Sequence, residues 1–312
     1  MTGLRVLQPG MLSLLQDGGR FGQHRLGLTC GGPLDLPAQR CANALLHNPL
    51  DTTALEISFG GLQLEVLHDT MIAVTGGDSP FTINGAEREI WRSHAVRAGD
   101  MLGFGFARRF CRCYLAVAGG FTVTPQFGST STVPREGIGG LNGNRLAKND
   151  VLPCVQTAAR PCLNLPIEQR PHYSDQIQVR VIPGYQQQQF SRLQQRRFFS
   201  ARYQVTDRAD RMGYRLHGPA ISCDIEGILS EGICHGAIQI PADGQPIVLL
   251  NDRQTIGGYP KIGSALSLDT ALLGQLMPGA EVSFTAVTQY TAHNALHLAA
   301  SRYSRLQALP CE

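Results

Sequence analysis

Short apolar runs, cut at close intervals by glycine, asparagine and aspartate, constrain this chain more than any other feature. ALEIS (54–58), LQLEV (62–66), MIAVTG (71–76), CYLAVAGG (113–120), IQVRVIPG (177–184) and EVSFTAV (281–287) are strand-sized and too short for amphipathic helices. With 35 glycines to turn between them, they predict a mainly β protein of barrel-like or sandwich-like units. FTINGAEREI (81–90) predicts a hairpin, because Asn84-Gly85 suits a type I′ turn in which both central residues take positive φ.

Three segments interrupt this rhythm as helices. In DLPAQRCANALLHNP (35–49), Asp35 can cap and Pro37 suits the first turn, and Ala38, Cys41, Ala42, Leu45 and Leu46 recur on one face. QQQQFSRLQQRRF (186–198) predicts a polar helix with Phe190, Leu193 and Arg197 on one side. The last segment, from Thr291, carries a stripe of Ala292, Leu296, Ala299, Tyr303 and Leu306. His293 and His297 stand four apart there, but with no third ligand nearby the pair reads as a solvated face.

Residues 153–175 hold four prolines without periodicity and predict a linker. The expected organisation is a first domain over 1–152, that linker, a second domain over 176–290 and a terminal helix over 291–312. The halves show kinship: Arg20-Phe-Gly22 and AGDMLGF (98–104) are matched in order by Arg211-Met-Gly213 and PGAEVSF (278–284).

Several function classes fall away. The net charge of +3, spread over scattered arginines, gives no nucleic-acid footprint. No apolar run reaches the ~20 residues that span a bilayer, and the first twenty residues lack an export signal, so a cytoplasmic location is expected. The nine cysteines are scattered and odd in number, which suits reduced thiols. There is no P-loop, since Lys261 is followed by Ile262, and no nucleophile elbow, Rossmann fingerprint or zinc pattern.

What remains is polar clusters at glycine-rich turns. In the first half these are Gln16 to Arg20, Asp35, Glu56 and the run ending at Arg145. Each has a structural explanation: Asp17 can bond its own turn, Asp35 can cap a helix, and Glu56 can face solvent from a strand. QIPADGQPIVLLNDRQTIGGYPKIG (239–263) is more specific. Its apolar strand ends abruptly at Asn251-Asp252-Arg253-Gln254, where unpaired charge near the interior would be costly. Asp252 and Lys261, one of only two lysines in the chain, must therefore pair with each other, with Arg211, or with a ligand. Gly257-Gly258 can let backbone N–H groups approach an anion. Acid, base, amide and N–H groups together suit a substrate with a carboxylate and a polarisable carbonyl.

These residues, with ADRMGYRLHG (209–218), resemble the family containing the C subunit of bacterial ATP-dependent 5-oxoprolinase and the carboxyltransferase portion of urea carboxylase. LLQDGGRFGQHRLG, GGPLDLPAQRCANALLHN, ALEISFGG, YLAVAGG, GSTSTV and GIGGLNGNRL extend the resemblance from about Arg5 to Phe284. It implies two cyclophilin-like β-barrel domains with a few short helices. It also implies an enzyme component that acts with the B and A subunits of 5-oxoprolinase to open 5-oxoproline to L-glutamate, using ATP with magnesium. Lys261, Arg211 and Asp252 are then the candidate catalytic groups, with Asp252 either orienting Lys261 or holding the ring N–H. Asn251, Gln254, Tyr214, Gly257, Gly258 and Tyr259 are the candidate substrate contacts. No residue is singled out for ATP, and Arg192 to Arg202 reads as a solvated helix. Val133 stands where the family commonly carries Asp, and PGYQ (183–186) replaces a pattern closer to P-G-P-E, so Tyr185 and Gln186 inherit no role. Two rival functions stay open. One is carboxyl transfer from carboxybiotin to a urea-like amide. The other is a regulatory partner that binds a protein like the B subunit and catalyses nothing.

Overall fold

A computed structural model describes residues 2–225 and 227–311. The chain is mainly β and divides into two units, one of residues 1–22, 30–173 and 306–312, the other of residues 23–29 and 174–305.

The first unit holds two antiparallel sheets, of six and seven strands. Alternation along the central strands decides its layering. In Ala54–Ser58, Thr70–Gly76 and Arg112–Val117, the residues Leu55, Ile57, Ile72, Val74, Cys113, Leu115 and Val117 face one core. Leu4, Val6, Leu62, Leu64, Val66, Phe81 and Leu102 of the six-stranded sheet close that core. The alternate residues Ala54, Met71, Ala73, Tyr114 and Ala116 face a second core against helix α1 (Leu36–Ala44). Strands covered on both faces read as continuous apolar runs, which is why these segments stand out in the sequence.

Asp35 caps α1 by accepting from Ala38 N at 3.0 Å, and Ala38, Cys41 and Ala42, continued by Leu45 and Leu46 just past its end, form the buried stripe. The hairpin forms as expected: strands Phe81–Ile83 and Ala86–Arg88 flank Asn84 at φ 53° and Gly85 at φ 78°. The segment expected as a linker carries structure of the first unit. Leu163–Asn164 is a strand paired with Leu309–Pro310, and Leu165 and Tyr173 pack in the second core.

The second unit is a closed seven-strand barrel. In order round the barrel its strands are Gln176–Pro183, Lys261–Ala265, Ala237–Gln239, Ile247–Leu249, Gly213–His217, Arg202–Ala209 and Glu281–Ala286. A parallel pairing of Gln176–Pro183 with Glu281–Ala286 shuts the ring. The expected helix over 186–198 breaks in two: a 3-10 turn at Tyr185–Gln189, then α2 (Arg192–Ser200) capped by Ser191. Leu193 points to solvent, 72% exposed, while Phe198 is fully buried and stacks on Phe284 with ring centroids 4.5 Å apart. Helix α3 (Ser267–Leu273) was not expected, because its seven residues are too few to show a period. Helix α4 (Gln289–Tyr303) forms, but of its expected stripe Ala292 alone is buried, so it lies on the surface.

The internal repeat is real at one turn. Gly99 and Gly279 take φ 91° and 92°, and donate to Val66 O and Val205 O, each at 2.8 Å. The returning bonds, Val66 N to Asp100 O and Val205 N to Ala280 O, are both 2.9 Å.

Candidate functional site

The polar turns of the first unit are internally satisfied. Asp17 accepts from Ser129 Oγ at 2.5 Å, Ser131 Oγ at 2.7 Å, Thr130 N at 2.8 Å and Gly19 N at 2.9 Å. Burial pushes its pKa up, but these bonds outweigh it and leave the carboxyl below its usual value. Arg20 donates to the carbonyls of Gln126, Ser129 and Ser131. Glu56 does not face solvent: it is 1% exposed and accepts from Leu34 N at 2.8 Å and Tyr114 Oη at 2.7 Å, with Arg112 Nε at 3.9 Å. Burial first, then the charges of Glu56 and Asp35, raise the Tyr114 hydroxyl well above its ordinary pKa, so it stays a donor. The open groove of this unit, walled by Met11 and Phe106 over Gly61 and Gly103, has no ionisable lining residue and offers surface without acid–base chemistry.

In the second unit the candidate ionic residues Arg211, Asp252 and Lys261 fall into two separate pairs. The strand Ile247–Leu249 lies against Gly213–His217, and this brings the turn after Leu250 beside Arg211. Arg211 then meets Asp252 through two parallel bonds, Nε to Oδ2 and Nη2 to Oδ1, both 2.8 Å. Their side chains are 5% and 6% exposed. The Arg211–Asp252 alternative left open by the sequence is therefore the one adopted, and Asp252 does not orient Lys261. Arg253 is buried beside them, donating to the carbonyls of Ile233 and Leu250 at 3.2 Å.

Lys261 opens its strand opposite Gln239 and pairs with Glu231, a residue not singled out in the sequence. Glu231 also accepts from Tyr185 Oη and, at 2.9 Å, from Gln186 Nε2. The Gln186 amide oxygen accepts from Lys261 N at 2.8 Å. The ammonium lies 5.7 Å from the centroid of the Tyr185 ring, within cation–π range. Bonds from Lys261 and then Tyr185 hold the Glu231 carboxyl below its ordinary pKa, and the same carboxylate raises the Tyr185 hydroxyl. This cluster is partly open: the Lys261 and Glu231 side chains are 11% and 30% exposed. Leu229, Ile256 and Tyr259 are exposed on the neighbouring segments.

Other expected contacts fall differently. Tyr214 is buried and donates its hydroxyl to Gly274 O and Leu276 O at 3.3 Å, so it ties the end of α3 to the barrel. Asn251 Oδ1 accepts from His235 Nε2 at 3.1 Å. Burial, then the charge of Arg253, lowers His235 to about 4, so the ring is neutral near pH 7. Gln254 is half-buried at the turn, and Tyr259 is exposed at the surface. Gly257 pairs with Glu231 in a separate two-strand ladder, and a Cβ there would lie 2.4 Å from Ile233 Cδ1 and 2.9 Å from Gln239 Nε2. At Gly258 a Cβ would lie 3.0 Å from Ile228 O. The two glycines thus let the 228–233 segment approach closely, which is how Glu231 reaches Lys261. No sequence pattern marks that contact, because the partners are 30 residues apart and the ladder strands, Glu231–Gly232 and Ile256–Gly257, are two residues each.

Among the described residues no cluster of His, Cys, Asp and Glu could hold a metal, and no helix is long and apolar enough to cross a membrane.

A family profile described as "Carboxyltransferase domain, subdomain A and B" matches residues 26–286. The chain is 36% identical over 285 residues to the C subunit of 5-oxoprolinase from Escherichia coli, covering 90% of each protein. It is 34% identical to the C subunit of 5-oxoprolinase from Haemophilus influenzae, covering 91% of each. The crystal structure of Kluyveromyces lactis urea carboxylase matches with a TM-score of 0.91 and 27% identity, covering 98% of this chain and 29% of that one.

Proposed function

This chain belongs to the carboxyltransferase-domain family, subdomain A and B, and from that membership we propose that it is the C subunit of an ATP-dependent 5-oxoprolinase. It acts with the A and B subunits of that enzyme to open the lactam 5-oxoproline to L-glutamate. The observation that carries the reading is coverage: both bacterial C subunits match over about nine-tenths of their length.

The chemistry asks for help at one oxygen. A five-membered lactam is a poor electrophile, and a nucleophile that attacks its unactivated carbonyl carbon pushes negative charge onto the carbonyl oxygen. A cation held in a partly dehydrated site stabilises that charge more than water does. Lys261 is the group that fits. An ammonium has three N–H donors, and Glu231 takes one of them. Arg211 is matched to Asp252 by two bonds and serves the fold around the turn.

ATP would supply activation of the carbonyl oxygen. Two other cations of the barrel suit nucleotide phosphates poorly, since Arg211 faces a carboxylate and Arg253 donates to backbone carbonyls, and Lys261 is assigned to the lactam oxygen. We therefore assign the nucleotide and its magnesium no residue of this barrel and put them elsewhere in the complex.

The test is reconstitution with the A and B subunits, assayed for ATP-dependent release of glutamate from 5-oxoproline. Release supports the proposal. Biotin-dependent carboxylation of a urea-like amide would favour the second reading, which rests on the urea carboxylase match. Tight binding to the B subunit without turnover would make the chain a regulatory partner.

A further inference from the structure

We propose that Glu231 is a positioning residue that, with Tyr185 and Gln186, aims the Lys261 ammonium at a substrate oxygen. The inference rests on the reading of Lys261 given above and adds the residues that make it effective.

A lysine is a poor electrostatic catalyst when left to itself, because its long stem samples many rotamers and its charge wanders. Here the charge is fenced on two sides. The Glu231 carboxylate holds Nζ directly, and the Tyr185 ring face lies 5.7 Å away. Both carboxylate oxygens are engaged, one by Lys261 and Gln186 and the other by Tyr185. Gln186 closes the loop: its amide oxygen grips the backbone N–H of Lys261 at 2.8 Å, while its amide nitrogen grips Glu231 at 2.9 Å. The carboxylate is thereby referred to the strand that carries the lysine. With one N–H fixed on Glu231, the other two project in set directions, and the side chain keeps some access to solvent and ligand.

Stability does not account for the arrangement. Glu231 keeps 30% of its side chain exposed, so water screens this contact and its contribution to folding is on the order of 1 kcal/mol. Yet it is assembled from three separate places in the chain, Tyr185-Gln186, Glu231 and Lys261, and needs its own two-strand ladder to bring Glu231 across. The aligned reaction geometry that this supplies is worth far more in a rate than in a folding equilibrium.

The test uses the reconstituted complex. Glu231→Gln keeps the shape and removes the charge; kcat should fall about 30-fold with KM changed less than about threefold, the signature of an interaction made in the transition state. Tyr185→Phe, which keeps the ring, should cost about threefold. Glu231→Ala should regain about tenfold of its lost rate when formate is added, since a free carboxylate can take the vacated place. Lys261→Met should gain nothing from formate. Full kcat in Glu231→Gln, a lowered KM that marks Glu231 as a blocking group, or formate failing to help Glu231→Ala in a folded complex would each overturn the proposal. An inactive wild-type complex overturns the parent reading instead, so the two failures are distinguishable.

Discussion

Two of the barrel's cation–carboxylate pairs, Arg211–Asp252 and Lys261–Glu231, differ in almost every respect. Arg211–Asp252 is bidentate and nearly inaccessible, at 5% and 6% side-chain exposure. Lys261–Glu231 is single-pointed and half-open, at 11% and 30%, with its carboxylate shared by a tyrosine and a glutamine. The guanidinium's planar fork matches both carboxylate oxygens at once, whereas the ammonium touches one. The first geometry completes itself. The second stays within reach of a ligand, so charge alone does not mark the site; access does.

The largest effect that would break this contrast is on stability. Asp252→Ala strands a buried guanidinium and should cost about 3–5 kcal/mol in urea unfolding of the isolated chain. Replacing both partners, Arg211→Met with Asp252→Leu, should recover most of that loss, because the charge to be compensated is gone. A single variant that unfolds at the wild-type midpoint would show that the pair is not structural. Next in size, Lys261→Met should lower turnover of the complex about 100-fold, equivalent to about 2.7 kcal/mol of transition-state stabilisation. Its unfolding free energy should move by less than about 1 kcal/mol. The reverse pattern, large loss of stability with turnover intact, would exchange the roles given to the two pairs.

The first unit supplies a third, smaller contrast. Its Glu56–Tyr114–Asp35 network is as buried as Arg211–Asp252 but is linked through a phenol, with Tyr114 donating to Glu56 and accepting from Asp35 N at 2.8 Å. Tyr114→Phe should cost about 1–3 kcal/mol by leaving those groups short of a partner. A loss under about 0.5 kcal/mol would mean that the network relaxes and is looser than its burial suggests.

Legibility in the sequence followed the range of the interaction. Local signals read well: the Asn84-Gly85 turn, the Asp35 cap, the apolar strands and the paired turns at Gly99 and Gly279 all formed. The Asn84-Gly85 turn and the Asp35 cap depend on residues a few positions apart, while Gly99 and Gly279 bond distant Val66 and Val205 and were marked by the repeated glycine motif itself. Lys261 stood out because lysine is scarce, but its partner did not. Glu231 sits in a short glycine-flanked stretch, GILSEG (227–232), whose two-residue strand is too short to show a hydrophobic period. The alternative that joined Asp252 to Lys261 failed for a related reason: strand pairing at Gly213–Leu249 puts Arg211 beside the turn, and a guanidinium fork outcompetes an ammonium for a buried carboxylate. Tyr214 shows the commonest loss: a polar tip read as a ligand contact was needed for two backbone carbonyls of the interior.

The smallest effect concerns His235, beside the turn that carries Asp252. His235 bonds Asn251, next to Asp252, and its ring is held neutral by burial and by Arg253, with a pKa of about 4. An unfolded histidine titrates near 6.5, so between roughly pH 6.5 and 4 the unfolded chain binds a proton that the folded chain refuses. Stability from this residue is therefore complete above about pH 6.5 and declines as acidity increases toward pH 4. Carboxylates titrate at the lower end of that window, so the useful quantity is the difference between wild type and His235→Gln. The melting temperature of wild type should fall more steeply than that of the variant from pH 7 to 5. If the two profiles run parallel, the ring is solvated enough to accept its proton in place, and the turn linking Arg211–Asp252 to the rest of the barrel is more open than its hydrogen bonds imply.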